Sequence, residues 1–179
     1  MHSVSGGGIG EPVQRREDER LLTGKGRYTD DIQVANVAYA FILRSPHAHA
    51  RIVSVDTREA ARFPGVLAIL TGEDVTKEKL GGLPCQQFPR MPPGIHGYCP
   101  MQPILAHHKV RYVGDRVAIV VAETLSQAKD AAEQIAVGYD VLSAVTLDDA
   151  LVAGAVKVWD EAQSNQCFRI EMGDRPAVE

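Results

Sequence analysis

The chain has 179 residues, of which 45% are hydrophobic and 23% are charged, and its formal net charge is -4. This balance predicts one globular domain or two small ones and excludes a strongly basic nucleic-acid-binding surface. No apolar run reaches the about 20 residues of a membrane-spanning helix, and the N-terminus lacks the basic and apolar regions of a secretory signal.

The first third of the chain predicts a helix followed by two strands. Residues 1–12 are mostly small and polar and predict a flexible tail. Residues 14–22 predict a short charged helix that the glycines of TGKG end. Residues 36–45 and 50–57 are rich in apolar and β-favouring side chains and predict strands, which Pro46 separates.

The second of these strands and the element after it carry finer signals. Alternation in the strand places Ile52 and Ser54 on one face and Val53 and Val55 on the other. Asp56 with Glu59 predicts a capping box for a short helix. Residues 66–71, VLAILT, then predict a buried strand, so the local order is strand, strand, helix, strand.

Residues 76–103 differ in texture because they contain six prolines and four glycines. Such a density predicts neither helix nor sheet. A loop of this length within a compact domain is typically functional or covered by a partner. We therefore expect it to form a contact or to line a channel.

Regular structure returns after this loop. Residues 117–122, VAIVVA, are apolar on both faces and predict a central strand. The following helix should bury one face formed by Leu125, Ala128, Ala132 and Ile135, with Thr124 as its N-cap. Residues 137–142 predict a further strand.

The segment LRSPHAHARI raises the question of a metal site. In an extended backbone His47, His49 and Arg51 would share a face, but Arg51 would oppose a cation and no third ligand is near. His107 and His108 are adjacent, so in a strand they would point in opposite directions. The better interpretation is a bend at Pro46, fixed by polar groups, leading into a strand.

Other residue groups give weak chemical signals. The glycines of GGGIG, Gly6–Gly10, lack the lysine and preceding strand of a phosphate-binding loop, and a flexible tail explains them better. Asp30 with Asp31, and Asp148 with Asp149, fit turn and helix-cap positions. From the residues alone, we expect no catalytic, cofactor-binding or metal-binding residue in this chain.

The three cysteines, Cys85, Cys99 and Cys167, include no CxxC spacing, which favours the cytoplasm over an oxidising compartment. Cys99 and His96 leave open the hypothesis of a small cysteine-dependent enzyme, although no residue that would orient the histidine is identifiable.

Four contiguous segments resemble the N-terminal part of molybdenum hydroxylase large subunits, the family of xanthine dehydrogenase, aldehyde oxidase and carbon monoxide dehydrogenase. They cover nearly everything after residue 8. The segments are IGEPVQRREDERLLTGKGRYTDDI, ILRSPHAHARIVSVDTREAARFPGVLAILTGEDV, PILAHHKVRYVGDRVAIVVAETLSQAKDAAEQIAVGYDVLSAV and NQCFRIEMGD.

The resemblance implies an α+β fold, the α/β-hammerhead domain, with a mixed sheet and short helices over residues 13–160. Residues 161–179 would begin the connection to molybdenum-binding domains that this chain lacks. It further implies a molybdopterin-type cofactor elsewhere in a full-length enzyme, with iron-sulfur clusters and FAD on partner domains or subunits. The chain itself would be inactive and would serve assembly and the substrate approach.

The alternative that this interpretation must exclude is a stand-alone, non-catalytic binding or assembly module. The two hypotheses differ in whether the chain continues into catalytic domains. The resemblance also implies that the bend at Pro46 is structural, with the histidines forming hydrogen bonds at that bend or at a subunit or domain contact.

Overall fold

The computed structural model describes residues 9–10, 15–84, 98, 100–167 and 173. The chain divides into two compact units, residues 1–37 and 38–179. In the first unit, helix α1 (Asp18–Leu22) is followed by a single 3-10 turn (Thr29–Asp31). The predicted charged helix is thus confirmed over its C-terminal half. The tail predicted over residues 1–12 falls mostly outside the described residues.

The described part of the second unit contains eight strands in three small sheets. The strands are β1 Tyr39–Arg44, β2 Ala50–Asp56, β3 Val66–Thr71, β4 Gly82–Leu83, β5 Gln102–Pro103, β6 Lys109–Val110, β7 Arg116–Ala122 and β8 Ala136–Val141. The first sheet has the order β1–β7–β3, the second has the order β6–β2–β8, and β4 pairs with β5.

Four short helices accompany these strands among the described residues, and the helix between β7 and β8 is the longest of them. Their bounds are α2 Arg58–Ala61, α3 Gly72–Lys77, α4 Leu125–Glu133 and α5 Leu147–Ala150. The α+β class with short helices is therefore confirmed, as is the predicted order of strand, strand, helix, strand.

The strand pairing differs from the mixed sheet that the sequence predicted. All pairings among the described strands are antiparallel. A parallel pair requires a long crossover connection. Here the bend after Arg44 instead passes the chain from the first sheet to the second, so β1 and β2 join different sheets.

The first hydrophobic core lies between the first sheet and α4. Ala118, Val120 and Ala122 of β7 are fully buried there against three alanines of the helix. Thr124 caps α4 as predicted, since its Oγ1 accepts from the amide of Gln127. Leu125, however, is 43% exposed. As the first helical residue it lies off the buried face, which Ala128, Ala131, Ala132 and Ile135 form.

The second core joins the two three-stranded sheets at one end of β7. Val117 packs there with Ala50, Ala106 and Val110, all of them buried. Ile52 and Val55 both contact this core, although strict alternation predicted opposite faces for them. A bulge at Val53 explains the difference, because the β2–β8 register shifts between Ile52 and Ser54.

Two further sequence predictions are corrected. Residues 76–103 are not free of regular structure, because β4 and β5 pair across this region; Pro103 is tolerated because the two-strand sheet has only edge strands. The capping box lies not at Asp56 but at Thr71, whose amide and hydroxyl both donate to Asp74 Oδ2, at 2.8 and 2.7 Å.

Asp56 serves a different purpose from the one predicted. Its carboxylate accepts the Arg58 amide and pairs with the Arg58 guanidinium at 2.5 Å. These hydrogen bonds lower the pKa of Asp56 to about 2. Arg58 thus binds the Asp56 carboxylate, which the sequence predicted would cap α2.

Gly72 is the first residue of α3 and tests how closely this helix packs against Ala106 and His107, which precede β6. A Cβ at Gly72 would meet the backbone of Ala106 and His107, which cannot move aside. We expect Gly72→Ala to lower the free energy of unfolding by about 1–3 kcal/mol, as overpacking does. Chemical denaturation of the purified chain measures this.

Gly138→Ala is the matched control, because a Cβ there would meet only the rotatable hydroxyl of Ser54. Equal losses in the two variants would contradict the close backbone approach at Gly72.

Candidate functional site

The bend after β1 is held by hydrogen bonds from buried Ser45. Its amide donates to the carbonyl of Asp115 at 2.8 Å, and its carbonyl accepts from the amide of Gly114 at 2.8 Å. The Ser45 hydroxyl lies 3.0 Å from the His47 amide. The structure therefore has the bend that the sequence predicted at Pro46.

His49 ties the start of β2 to the segment after β8. Its ring is 3% exposed, and Nδ1 lies 2.9 Å from the Ser143 carbonyl oxygen, so Nδ1–H donates this bond. The His49 carbonyl accepts from the amide of Leu142 at 2.9 Å. His49 thus links the start of β2 to the segment after β8 through both its ring and its backbone carbonyl.

The predicted row of His47, His49 and Arg51 does not form. β2 begins only at Ala50, so the two histidines precede the regular alternation of the strand. His47 packs edge-on against Tyr139, with ring centroids 4.9 Å apart, and Arg51 pairs with Asp140 at 3.3 Å.

His107 and His108 depart from the prediction that they point in opposite directions. Their ring centroids lie 3.8 Å apart. They precede β6 in a bend, where the backbone does not alternate. Partial burial lowers the pKa of His107, and the neighbouring His108 lowers it further by a smaller amount.

These two rings line a small cavity of about 200 Å³ beside Thr71 and Glu73. Glu73 is already paired with Lys77 at 2.8 Å. Within the part of the chain that the structure describes, no group of three or more histidine, cysteine, aspartate or glutamate side chains could hold a metal ion. The cavity is therefore a polar cleft without a ligand set of that kind.

The most concentrated electrostatic cluster surrounds β6 and was missed by the sequence reasoning. Lys109 has a side chain only 6% exposed, and its Nζ donates to Asp160 at 2.6 Å. Arg111 lies over the ring of Trp159, 3.6 Å from the centroid. Burial lowers the pKa of the Arg111 guanidinium, whereas the nearby acids raise it.

Asp115, which lies just before β7, also belongs to this cluster. Its carboxylate accepts the amides of Arg111 and Arg116 at 3.1 and 3.0 Å. Its carbonyl also receives the Ser45 amide of the bend. The segment containing Trp159 and Asp160 is consequently fastened to β6 and linked to the same polar network as the bend. The single tryptophan of the sequence, together with two cations alternating around Val110, was the signal for it.

The remaining sequence candidates are placed as follows. Asp31 accepts the amide of Tyr28 at 2.9 Å, and Asp149 bonds the hydroxyl of Thr146 at 2.7 Å, so both pairs include a cap, as predicted. Cys167 is exposed and free. Cys85, His96, Cys99 and Gly6–Gly8 lie outside the described residues.

Comparison with known protein families identifies the same fold. Residues 23–143 match the family model described as "Aldehyde oxidase and xanthine dehydrogenase, a/b hammerhead domain". This match covers more than half of the chain. The chain therefore belongs to this hammerhead family, and the predicted resemblance is confirmed.

Two relatives are the large subunit of a hydroxylase and the molybdenum-binding subunit of a dehydrogenase. The chain is 39% identical over 137 residues to the nicotine 6-hydroxylase large subunit of Paenarthrobacter nicotinovorans, covering 76% of this chain and 16% of that protein. It is 35% identical over 142 residues to a xanthine dehydrogenase molybdenum-binding subunit of Escherichia coli O157:H7, covering 74% and 17%.

Among solved structures, quinoline 2-oxidoreductase from Pseudomonas putida 86 superposes with a TM-score of 0.73 at 41% identity. The match covers 87% of this chain and 19% of that chain. This chain thus spans less than a fifth of the length of each of these three proteins. No helix among the described residues is long and apolar enough to cross a membrane.

The pair of Lys109 and Asp160 generates a testable prediction. Asp160→Asn removes the counter-charge of an ammonium group that is nearly buried, so the free energy of unfolding should fall by about 1–3 kcal/mol. The loss stays below that of a fully buried pair because Asp160 is 67% exposed. Denaturation of the purified chain measures it.

Asp140→Asn is the matched control, since its pair with Arg51 is exposed on both sides and should contribute less than about 1 kcal/mol.

The same pair predicts a dependence of stability on pH. Lys109 lowers the pKa of Asp160 below its ordinary 3.8. The stabilisation by Asp160 is therefore present above pH 3.8 and is lost as the pH falls through the lower folded-state pKa. A difference between wild type and Asp160→Asn that grew in acid would contradict this assignment.

Proposed function

We propose that this chain is the N-terminal structural segment of the large subunit of a molybdenum-dependent oxidoreductase. The complete enzyme would hydroxylate aldehydes or N-heterocycles, or oxidise carbon monoxide. The observation that carries the proposal is the hammerhead match over residues 23–143, combined with relatives that are oxidoreductase large subunits or molybdenum-binding subunits.

The segment serves assembly and the substrate approach, and the residues that bind the cofactor lie in the remainder of the subunit. The described side chains do not fit a metal centre: the one histidine pair, His107 and His108, has beside it only Glu73, which Lys77 occupies. A molybdopterin-type cofactor would supply the redox chemistry from its own domains.

The structure supports a scaffolding role through its polar network. Lys109 and Arg111 fasten the segment around Asp160, which lies next to the proposed connection over residues 161–179. A fastened exit orients the chain that follows it. We propose residues 13–160 as the domain and residues 1–12 as its tail.

The partners in this proposal are the later domains of the large subunit and the domains or subunits that carry iron-sulfur clusters and FAD. Residues 76–103 are proposed to contact one of these partners or to line the approach to the active site. The cytoplasm is proposed as the location, on the basis of the sparse cysteines.

The proposal is tested on the native polypeptide. An antibody against this chain is used to recover the protein from host extract, with pre-immune serum as the control, and the polypeptide mass and bound molybdenum are measured. Because the chain spans 16% to 19% of the three relatives, we expect a polypeptide about five times longer than the 179-residue chain, carrying molybdenum.

A recovered polypeptide of 19.4 kDa without molybdenum would contradict the proposal and identify the chain as a stand-alone assembly module. If the long polypeptide is found, dye reduction with an aldehyde, an N-heterocycle and carbon monoxide distinguishes the substrate classes. Deleting residues 85–97 from that polypeptide should impair assembly or turnover, and unchanged values would exclude the role proposed for the loop.

A further inference from the structure

The first sheet has a second face, opposite α4, that consists entirely of apolar side chains. The strand register places them in two rows of three across β1, β7 and β3. We call this the outer face, and its rows are Ala40–Val121–Ala68 and Ile42–Ile119–Leu70.

The described residues leave the outer face at least partly exposed to solvent. None of its six residues is buried: Ile42, Ile119 and Val121 are half-buried, and the two alanines and Leu70 are exposed. Leu70 retains 43% exposure, and Leu67, at the bulge in β3, retains 58%. The intervening row Phe41–Val120–Ile69, by contrast, packs into the core beside α4.

The second sheet shows what a water-facing surface looks like in the same molecule. Its neighbouring strands β2 and β8 carry Arg51 and Asp140, which form an exposed ion pair. An antiparallel sheet that faces water on one side normally alternates apolar and polar residues. The strands of the first sheet do not alternate in this way, so their sequence fits burial on both faces.

We propose that the outer face is an interaction surface, covered by apolar side chains from the later part of the same large subunit. This inference rests on the proposed function. The three compared relatives extend over more than four-fifths of their length beyond the matching part, which supplies ample chain for a cover. None of the six residues is charged, so the surface suits an apolar protein face and not an anion or a charged peptide.

A tethered cover is also favoured over a second copy by the cost of association. A segment of the same polypeptide is held at an effective concentration near the millimolar range, whereas a second copy loses translational and rotational freedom on binding. The fastening of Asp160 to Lys109 limits the freedom of the connecting chain further.

Site-specific thiol labelling tests the proposal. Leu70→Cys places a thiol on the outer face, and Val53→Cys is the matched control, because Val53 is 70% exposed on a strand of the second sheet. Each variant is prepared as the 179-residue chain and within the complete large subunit. Labelling by N-ethylmaleimide is followed by peptide mass spectrometry, which separates the new thiol from the native ones.

We expect the labelling rate at position 70 to fall at least tenfold in the large subunit, with the rate at position 53 unchanged. Equal reactivity of position 70 in both forms overturns the proposal, as does protection of both positions. Slow labelling in the isolated chain, together with a dimer in sedimentation velocity, identifies a second copy as the occupant and also overturns it.

The molybdenum content of the same large-subunit preparation separates the two claims. A molybdenum-containing subunit with a reactive Cys at position 70 refutes the docking surface alone. A long polypeptide without molybdenum that protects this position refutes the proposed function and leaves the docking surface standing.

Discussion

Strand β7 is apolar on both of its faces, and the organisation of residues 38–179 follows from this constraint. Ala118, Val120 and Ala122 point into the core beneath α4, while Val117 points into the core shared with the second sheet. Because successive side chains of a strand alternate, one segment of seven residues organises two cores. Ile119 and Val121 lie on the same face of β7 as Val117, but they extend beyond the second core and the described residues bury them only in part.

Polar interactions hold the start of β7, next to the point where the chain passes from the first sheet to the second. Asp115, immediately before β7, receives the amides of Ser45, Arg111 and Arg116. The same region fastens the segment of Trp159 and Asp160 through Arg111 and Lys109. These hydrogen-bonded amides and the Asp115 carboxylate hold one geometry where the chain passes between the sheets.

The elements that could be predicted from the sequence were those with a strong local signal. β7, α4 with its Thr124 cap, and the bend at Pro46 have distinctive composition or spacing, and all three are present. The bulge at Val53 and the close rings of His107 and His108 could not be predicted, because they depend on pairing with distant segments. The contact of Arg111 with Trp159 joins residues 48 positions apart, beyond any periodicity. The proposed cover of the outer face could not be predicted either, since none of the described residues supplies it.

The most direct test compares two neighbouring valines of β7 in the purified chain. Val120 is fully buried under α4, whereas Val121 lies on the outer face and is half-buried. Because the backbone and residue type are the same, the difference between Val120→Ala and Val121→Ala reports on the cover of each face. We expect a loss of about 2 kcal/mol in the free energy of unfolding for Val120→Ala and of less than about 1 kcal/mol for Val121→Ala. Equal losses would show that both faces are already buried in this chain and would contradict the account.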